Sequence, residues 1–190
     1  MTPRKLLTIS MAWLALVMVA KTARGEPGGP AALGPLYISE IKLGVLAHDM
    51  PGLWSFYRYE RGLDLNGEVA FGHGLRVLGG AIRPVLGGSW STSGQTSRAY
   101  ADLRWQWETP SNIFFGIGLG IAVHNGVLGP TDIHRKALGA RELFHIPIEL
   151  GYRFDGHNSI SIYFEHMSDG YTASSNEGLD ALGIRYGYKF

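Results

Sequence analysis

The sequence predicts an all-β protein, an eight-stranded antiparallel transmembrane β-barrel. Three observations lead there. The chain falls into eight runs, several of which clearly alternate apolar with polar or small residues at period two. Long and very short connections take turns between them. The charged residues within the runs collect on one alternate face.

The runs fall near 36–48, 62–71, 75–86, 96–108, 112–124, 139–154, 157–168 and 178–190. In the first, Ile41, Leu43 and Val45 oppose Glu40 and Lys42. In the second, Leu63, Leu65, Val69 and Phe71 oppose Asp64, Asn66 and Glu68. The third is ambiguous, because Arg76, Arg83 and several glycines blur its parity. In the fifth, Ile113, Phe115, Ile117, Leu119, Ile121 and Val123 oppose Gly116, Gly118, Gly120 and His124. In the sixth, Phe144, Ile146, Ile148, Leu150, Tyr152 and Phe154 oppose His145, Glu149, Gly151 and Arg153. Pro147 lies inside this run, where its missing N–H predicts a bulge.

Residues 49–61, 87–95, 125–138 and 169–177 are long connections, whereas 72–74, 109–111 and 155–156 are short. Outer-membrane barrels are built this way, with short periplasmic turns and long outer loops. The final strand agrees: Leu182, Ile184, Tyr186, Tyr188 and Phe190 occupy every second position. A soluble barrel of lipocalin type is the alternative. Against it stand Glu40, Lys42, Asp64, Glu68, Asp102, Arg104, Glu149, Arg153, Glu165 and Arg185 on the face opposite the apolar one. Those charges suit a narrow lumen where acids and bases pair. The apolar face then meets lipid, and Trp54, Tyr57, Tyr59, Trp90, Trp105, Trp107, Tyr186 and Tyr188 supply interface girdles.

Residues 1–25 read as a cleaved signal peptide: Arg4 and Lys5, an apolar stretch from Leu6 to Ala20, then Ala23-Arg24-Gly25 before Glu26. Residues 26–35 form a flexible lead-in and 36–190 the barrel. Removing Arg4, Lys5, Lys21 and Arg24 from the 17 basic residues leaves 13 against 16 acidic ones, a net charge of −3. With no basic block, no nucleic-acid partner is expected. With no Cys there is no thiol nucleophile and no thiolate metal site. His48, His73, His124, His134, His145 and His157 are scattered without ligand spacing, so no metal and no cofactor is expected.

The parity rule has an exception. In the seventh run Ile160, Ile162 and Phe164 face lipid, and by the same period so do His166 and Ser168. In the eighth run Asp180 shares its face with Leu182 and Ile184. Ten residues separate Asp180 from Phe190, roughly 25 Å of tilted strand, so the three polar residues sit near the outer rim of the bilayer. A Ser, a His and an acid together suggest acyl transfer, with the His as base, the acid orienting it, and nearby donors stabilising an oxyanion.

The segment His166-Met-Ser168-Asp-Gly, with Asn176-Glu-Gly178-Leu179-Asp180 after it, resembles the C-terminal motif of the outer-membrane lipid A 3-O-deacylases, the PagL family. That family reads H-x-S-N and then N-x-G-[IL]-E at the same spacings. The resemblance implies an eight-stranded barrel that hydrolyses the ester-linked 3-hydroxyacyl chain at position 3 of lipid A. It also implies Ser168 as nucleophile, His166 as general base and Asp180 as orienting acid. Two residues depart from the pattern. Asp180 replaces Glu and is one methylene shorter. Asp169 replaces Asn, and an ionised carboxylate cannot donate to an oxyanion. Gly170 and Asn176 are the substitute donors. Arg58 and Arg61, in the first outer loop, are candidates for binding lipid A phosphates. The expected partners are lipid A in lipopolysaccharide, the surrounding outer-membrane lipid and, as a protein partner, a second copy in a homodimer. The alternative function is a non-enzymatic outer-membrane barrel, for adhesion or envelope structure, carrying a degenerate site.

Overall fold

The computed structural model describes residues 37–72 and 74–190. The expected signal peptide, the lead-in and His73 lie outside the described residues. Nine strands follow one another: β1 Ile38–Ala47, β2 Leu63–Phe71, β3 Leu75–Val77, β4 Gly80–Ser91, β5 Arg98–Glu108, β6 Ile113–His124, β7 Glu142–Arg153, β8 Asn158–Ser168 and β9 Leu179–Lys189. Each long strand pairs antiparallel with its chain neighbours. β2 pairs with β4, and β9 returns to β1, so eight strands close a ring. Closure leaves no unpaired edge toward hydrocarbon, which a membrane-spanning sheet requires.

β3 is the addition. It pairs only with the start of β4, through the two-residue turn Leu78–Gly79, where both residues have left-handed φ values of 50° and 74°. Such a turn matches the twist of a hairpin. The expected third strand at 75–86 is therefore split and shifted. The ring strand is Gly80–Ser91, and the outer connection after it shrinks to 92–97. Arg83 joins the inward set, 3.5 Å from Glu40.

Four connections lie at one end, the end expected to face outward: L1 (48–62), L2 (92–97), L3 (125–141) and L4 (169–178). The opposite end has short turns at 109–112 and 154–157 and the β3 hairpin. On the outer wall, Leu43, Leu65, Leu103, Leu119, Leu150, Ile162 and Ile184 stand exposed. The inside is packed with charge. Arg185 reaches Glu68 at 2.9 Å and Glu149 at 2.8 Å, above the Tyr163 ring. Arg104 bridges Glu68 and Asp102 at 2.8 and 2.9 Å. His145 lies between Asp102 and Glu165 at 2.8 and 3.0 Å and stacks on Tyr100. All ten charged residues expected to face inward are buried.

The glycines of β6 make room for these side chains. A Cβ at Gly120 would overlap the Asp102 carboxylate and the Ala101 carbonyl, and one at Gly118 would press on Pro147 and Arg104. Pro147 makes no bulge. The β6–β7 register is the same on both sides of it, Ile117↔Ile148 and Gly120↔His145. The missing N–H interrupts the ladder without shifting it.

A buried ion that loses a partner is costly, so Arg185→Met, which leaves Glu68 its ion pair with Arg104 alone and Glu149 its ion pair with Lys42 alone, is expected to destabilise the barrel by about 3 kcal/mol. Urea unfolding in lipid vesicles measures this. A loss near zero would contradict a lumen held together by these ion pairs.

Candidate active site on the outer wall

The outer ends of β8 and β9 bring the three singled-out residues together. His166 pairs across the ladder with Asp180 and, on its other side, with Ile146, while Ser168 pairs with Phe144. All three keep the outward parity of Phe164 and Leu182. Asp180 Oδ1 lies 2.6 Å from His166 Nδ1, and His166 Nε2 lies 3.1 Å from Ser168 Oγ. A carboxylate only accepts, so the proton sits on Nδ1, and Nε2 is left to accept from the Ser168 hydroxyl. The shorter acid reaches its histidine.

The site is not bare to lipid as parity alone suggests. His166 is 8% exposed and Asp180 is fully buried, because L1 folds over them. Trp54 and Ser55 donate their backbone N–H groups to Asp180 Oδ2 at 2.6 and 2.7 Å. Met50 N donates to the Asp180 carbonyl at 2.8 Å. The Trp54 ring stands edge-on to both His166 and Phe164, with centroids 5.4 and 5.2 Å away. Trp54 thus covers the histidine rather than serving only as a girdle. Ser168 stays part-exposed at the open edge of this cover.

Asp169 does not add free charge beside Ser168. Its carboxylate accepts from the backbone N–H groups of Tyr171 and Ala173 at 2.8 and 3.1 Å, a local turn that an Asp side chain favours. The turn places Gly170 and Tyr171 at φ values of 63° and 62°. Asp169 N donates to Asn176 Oδ1 at 3.1 Å, which leaves the Asn176 amide nitrogen as a donor. Neither that nitrogen nor Gly170 N has a hydrogen bond among the described residues.

L1, L2, L3 and L4 are tied by acids. Glu60 accepts from His48 Nε2 (3.0 Å), Thr96 N (2.8 Å), Arg135 Nε (3.0 Å) and Lys136 N (3.0 Å). Glu177 binds Arg58 and accepts from Ala137 N at 3.1 Å. Arg58 is therefore committed to an acid, while Arg61 packs on the Tyr59 ring at 5.7 Å. Both arginines, with Tyr57, His134, Asn176 and Glu177, line an outer cavity of about 940 Å³. Ser168 lies outside it.

The sequence model of the lipid A 3-O-deacylase (PagL) family matches residues 59–189. The chain belongs to the PagL family. Lipid A deacylase PagL of Bordetella bronchiseptica is 28% identical over 115 residues, 57% of this chain and 62% of that protein, so the match spans less than two thirds of that relative. The crystal structure of the outer membrane enzyme PagL superposes with a TM-score of 0.61, at 16% identity, over 80% of this chain and all of that one. Neisserial surface protein A gives a TM-score of 0.53, at 10% identity, over 83% of this chain and all of that one. Both structures share the fold of an outer-membrane barrel, and this PagL-family chain is an integral outer-membrane protein.

Burial alone would raise the Glu60 carboxyl, but hydrogen bonds from His48, Thr96 and Arg135 outweigh it and hold it down to about 2. A depressed acid stabilises the fold above its ordinary value of 4.5 and loses that contribution as pH falls through about 2. Amide exchange at Thr96 and Lys136, corrected for intrinsic rate, is expected to quicken over that interval. A flat profile would remove Glu60 from its role as the loop tie.

Proposed function

We propose that this chain hydrolyses the ester-linked 3-hydroxyacyl chain at position 3 of lipid A, with Ser168, His166 and Asp180 as its catalytic residues. The observation that carries this reading is the hydrogen-bonded series Asp180–His166–Ser168 on the outer wall, at the end of the barrel where the long loops lie. Membership of the PagL family supports the choice of substrate.

In this reading, His166 Nε2 takes the Ser168 proton as Oγ attacks the ester carbonyl. The tetrahedral oxyanion is met by Gly170 N and the Asn176 amide, a stabilisation worth about 10²–10³ in rate per donor. Collapse expels the sugar hydroxyl, which takes its proton back from His166. Water, deprotonated by His166, then attacks the acyl-serine and releases a 3-hydroxy fatty acid, returning the proton to Ser168. Asp180 holds Nδ1–H throughout and stabilises the imidazolium. No metal or cofactor enters these steps. The outer cavity serves the phosphorylated sugar head, with Arg61 the freer of the two arginines for a phosphate and Arg58 shared with Glu177. All the groups come from one chain, so the chemistry needs no second copy.

Mass spectrometry of lipid A from cells making the protein is expected to show loss of one 3-hydroxyacyl chain, abolished by Ser168→Ala. An unchanged spectrum with folded barrel present would favour the non-enzymatic alternative. Asp180→Asn is expected to lower kcat by about 10³–10⁴, because the histidine tautomer is no longer enforced. Arg61→Ala is expected to raise KM about tenfold with kcat unchanged, the pattern of lost uniform binding. A fall in kcat instead would assign Arg61 to the chemical step.

A further inference from the structure

Asp49 has no place in the chemistry above, yet it is buried and holds a left-handed φ of 53°. Asp enters that region more readily than most residues, and partners on its carboxylate can hold it there. Here those partners are visible. Asp49 Oδ1 accepts from Ser55 Oγ at 3.2 Å and lies 3.4 Å from Lys136 Nζ, and Oδ2 accepts from Glu60 N at 3.0 Å. Lys136, itself buried, also donates to the Phe56 carbonyl at 2.9 Å. The first outer loop is thus wound around one carboxylate, and the third loop supplies the cation that neutralises it.

Ser55 joins this knot to the site. Its hydroxyl donates to Asp49, and its backbone N–H donates to Asp180 Oδ2 at 2.7 Å, beside the N–H of Trp54 at 2.6 Å. Two donors on one oxygen stop the Asp180 carboxyl from turning about its last bond, so the other oxygen stays aimed at His166 Nδ1.

We propose that Asp49 is a positioning residue: acting through Ser55, it fixes the L1 amides that clamp Asp180 and so sets the His166 tautomer and orientation. The inference rests on the catalytic reading of Ser168, His166 and Asp180. It adds a residue more than a hundred positions away from them in the chain.

The test uses Asp49→Asn, which keeps the shape and removes the charge, and Ser55→Ala, which removes only the hydroxyl link. Both are made in the full barrel, with folding verified by gel mobility without boiling. Each is expected to lower kcat about tenfold while KM stays within about twofold, since small misplacements of a catalytic group are costly. In an Asp180→Asn background the same changes are expected to cost less than about twofold more, because residues acting through one another do not add. In labelled wild-type protein the low-field proton resonance of His166 Nδ1–H marks its bond to Asp180, and both variants should broaden it. An unchanged kcat, full multiplication of the losses in the Asp180→Asn background, or an intact resonance in both variants would overturn the inference. The resonance needs no turnover, so it separates this outcome from failure of the proposed function, in which wild-type protein would leave the ester uncut.

Discussion

A ring of eight strands has two sides, and hydrocarbon claims one of them. Every strand must therefore send alternate residues into lipid and the others into a narrow lumen that buried side chains fill. The charges of Glu68, Glu149, Arg104 and Arg185 are tolerable only because the same closure puts them opposite one another, with aromatic rings of Tyr100 and Tyr163 filling the gaps. Breaking the ring would leave ladder groups unpaired in hydrocarbon and charges unpaired in the core, so closure, lumen and wall stand or fall together.

Much of this was legible in the sequence because period two is a local property. Ile117, Leu119 and Ile121 alternate with Gly118, Gly120 and Ala122 whatever the rest of the chain does. The third strand was not legible, for a local reason as well. Leu78 and Gly79 form a turn in which Leu takes a backbone conformation it seldom adopts, so no turn residue pair announced the break. Pro147 misled in the opposite direction. A proline inside a strand suggests a bulge, but beside Gly118 it fits the inward face and the register runs on unchanged.

The site divides in the same manner. His166, Ser168 and Asp180 stand out because polar residues occupy positions that parity assigns to lipid. What covers them did not stand out. The donors on Asp180 are the main-chain N–H groups of Trp54 and Ser55, and a backbone amide leaves no mark in the residue alphabet. Arg58 is readable as a free cation until the fold brings Glu177 to it across 119 positions. Asp169 is readable as a misplaced charge until its two oxygens are seen to close their own turn. Side-chain identity can be read directly, whereas partnership across loops cannot.

The placement of Ser168 on the exterior has a kinetic meaning. A molecule resident in the outer leaflet arrives there by sliding within the sheet of lipids, never by dissolving. Encounter is then governed by surface density and lateral mobility, and dilution of the surrounding medium leaves it untouched. Loosening or stiffening the leaflet becomes a way to speed or slow any reaction at that wall without altering a single atom of the protein.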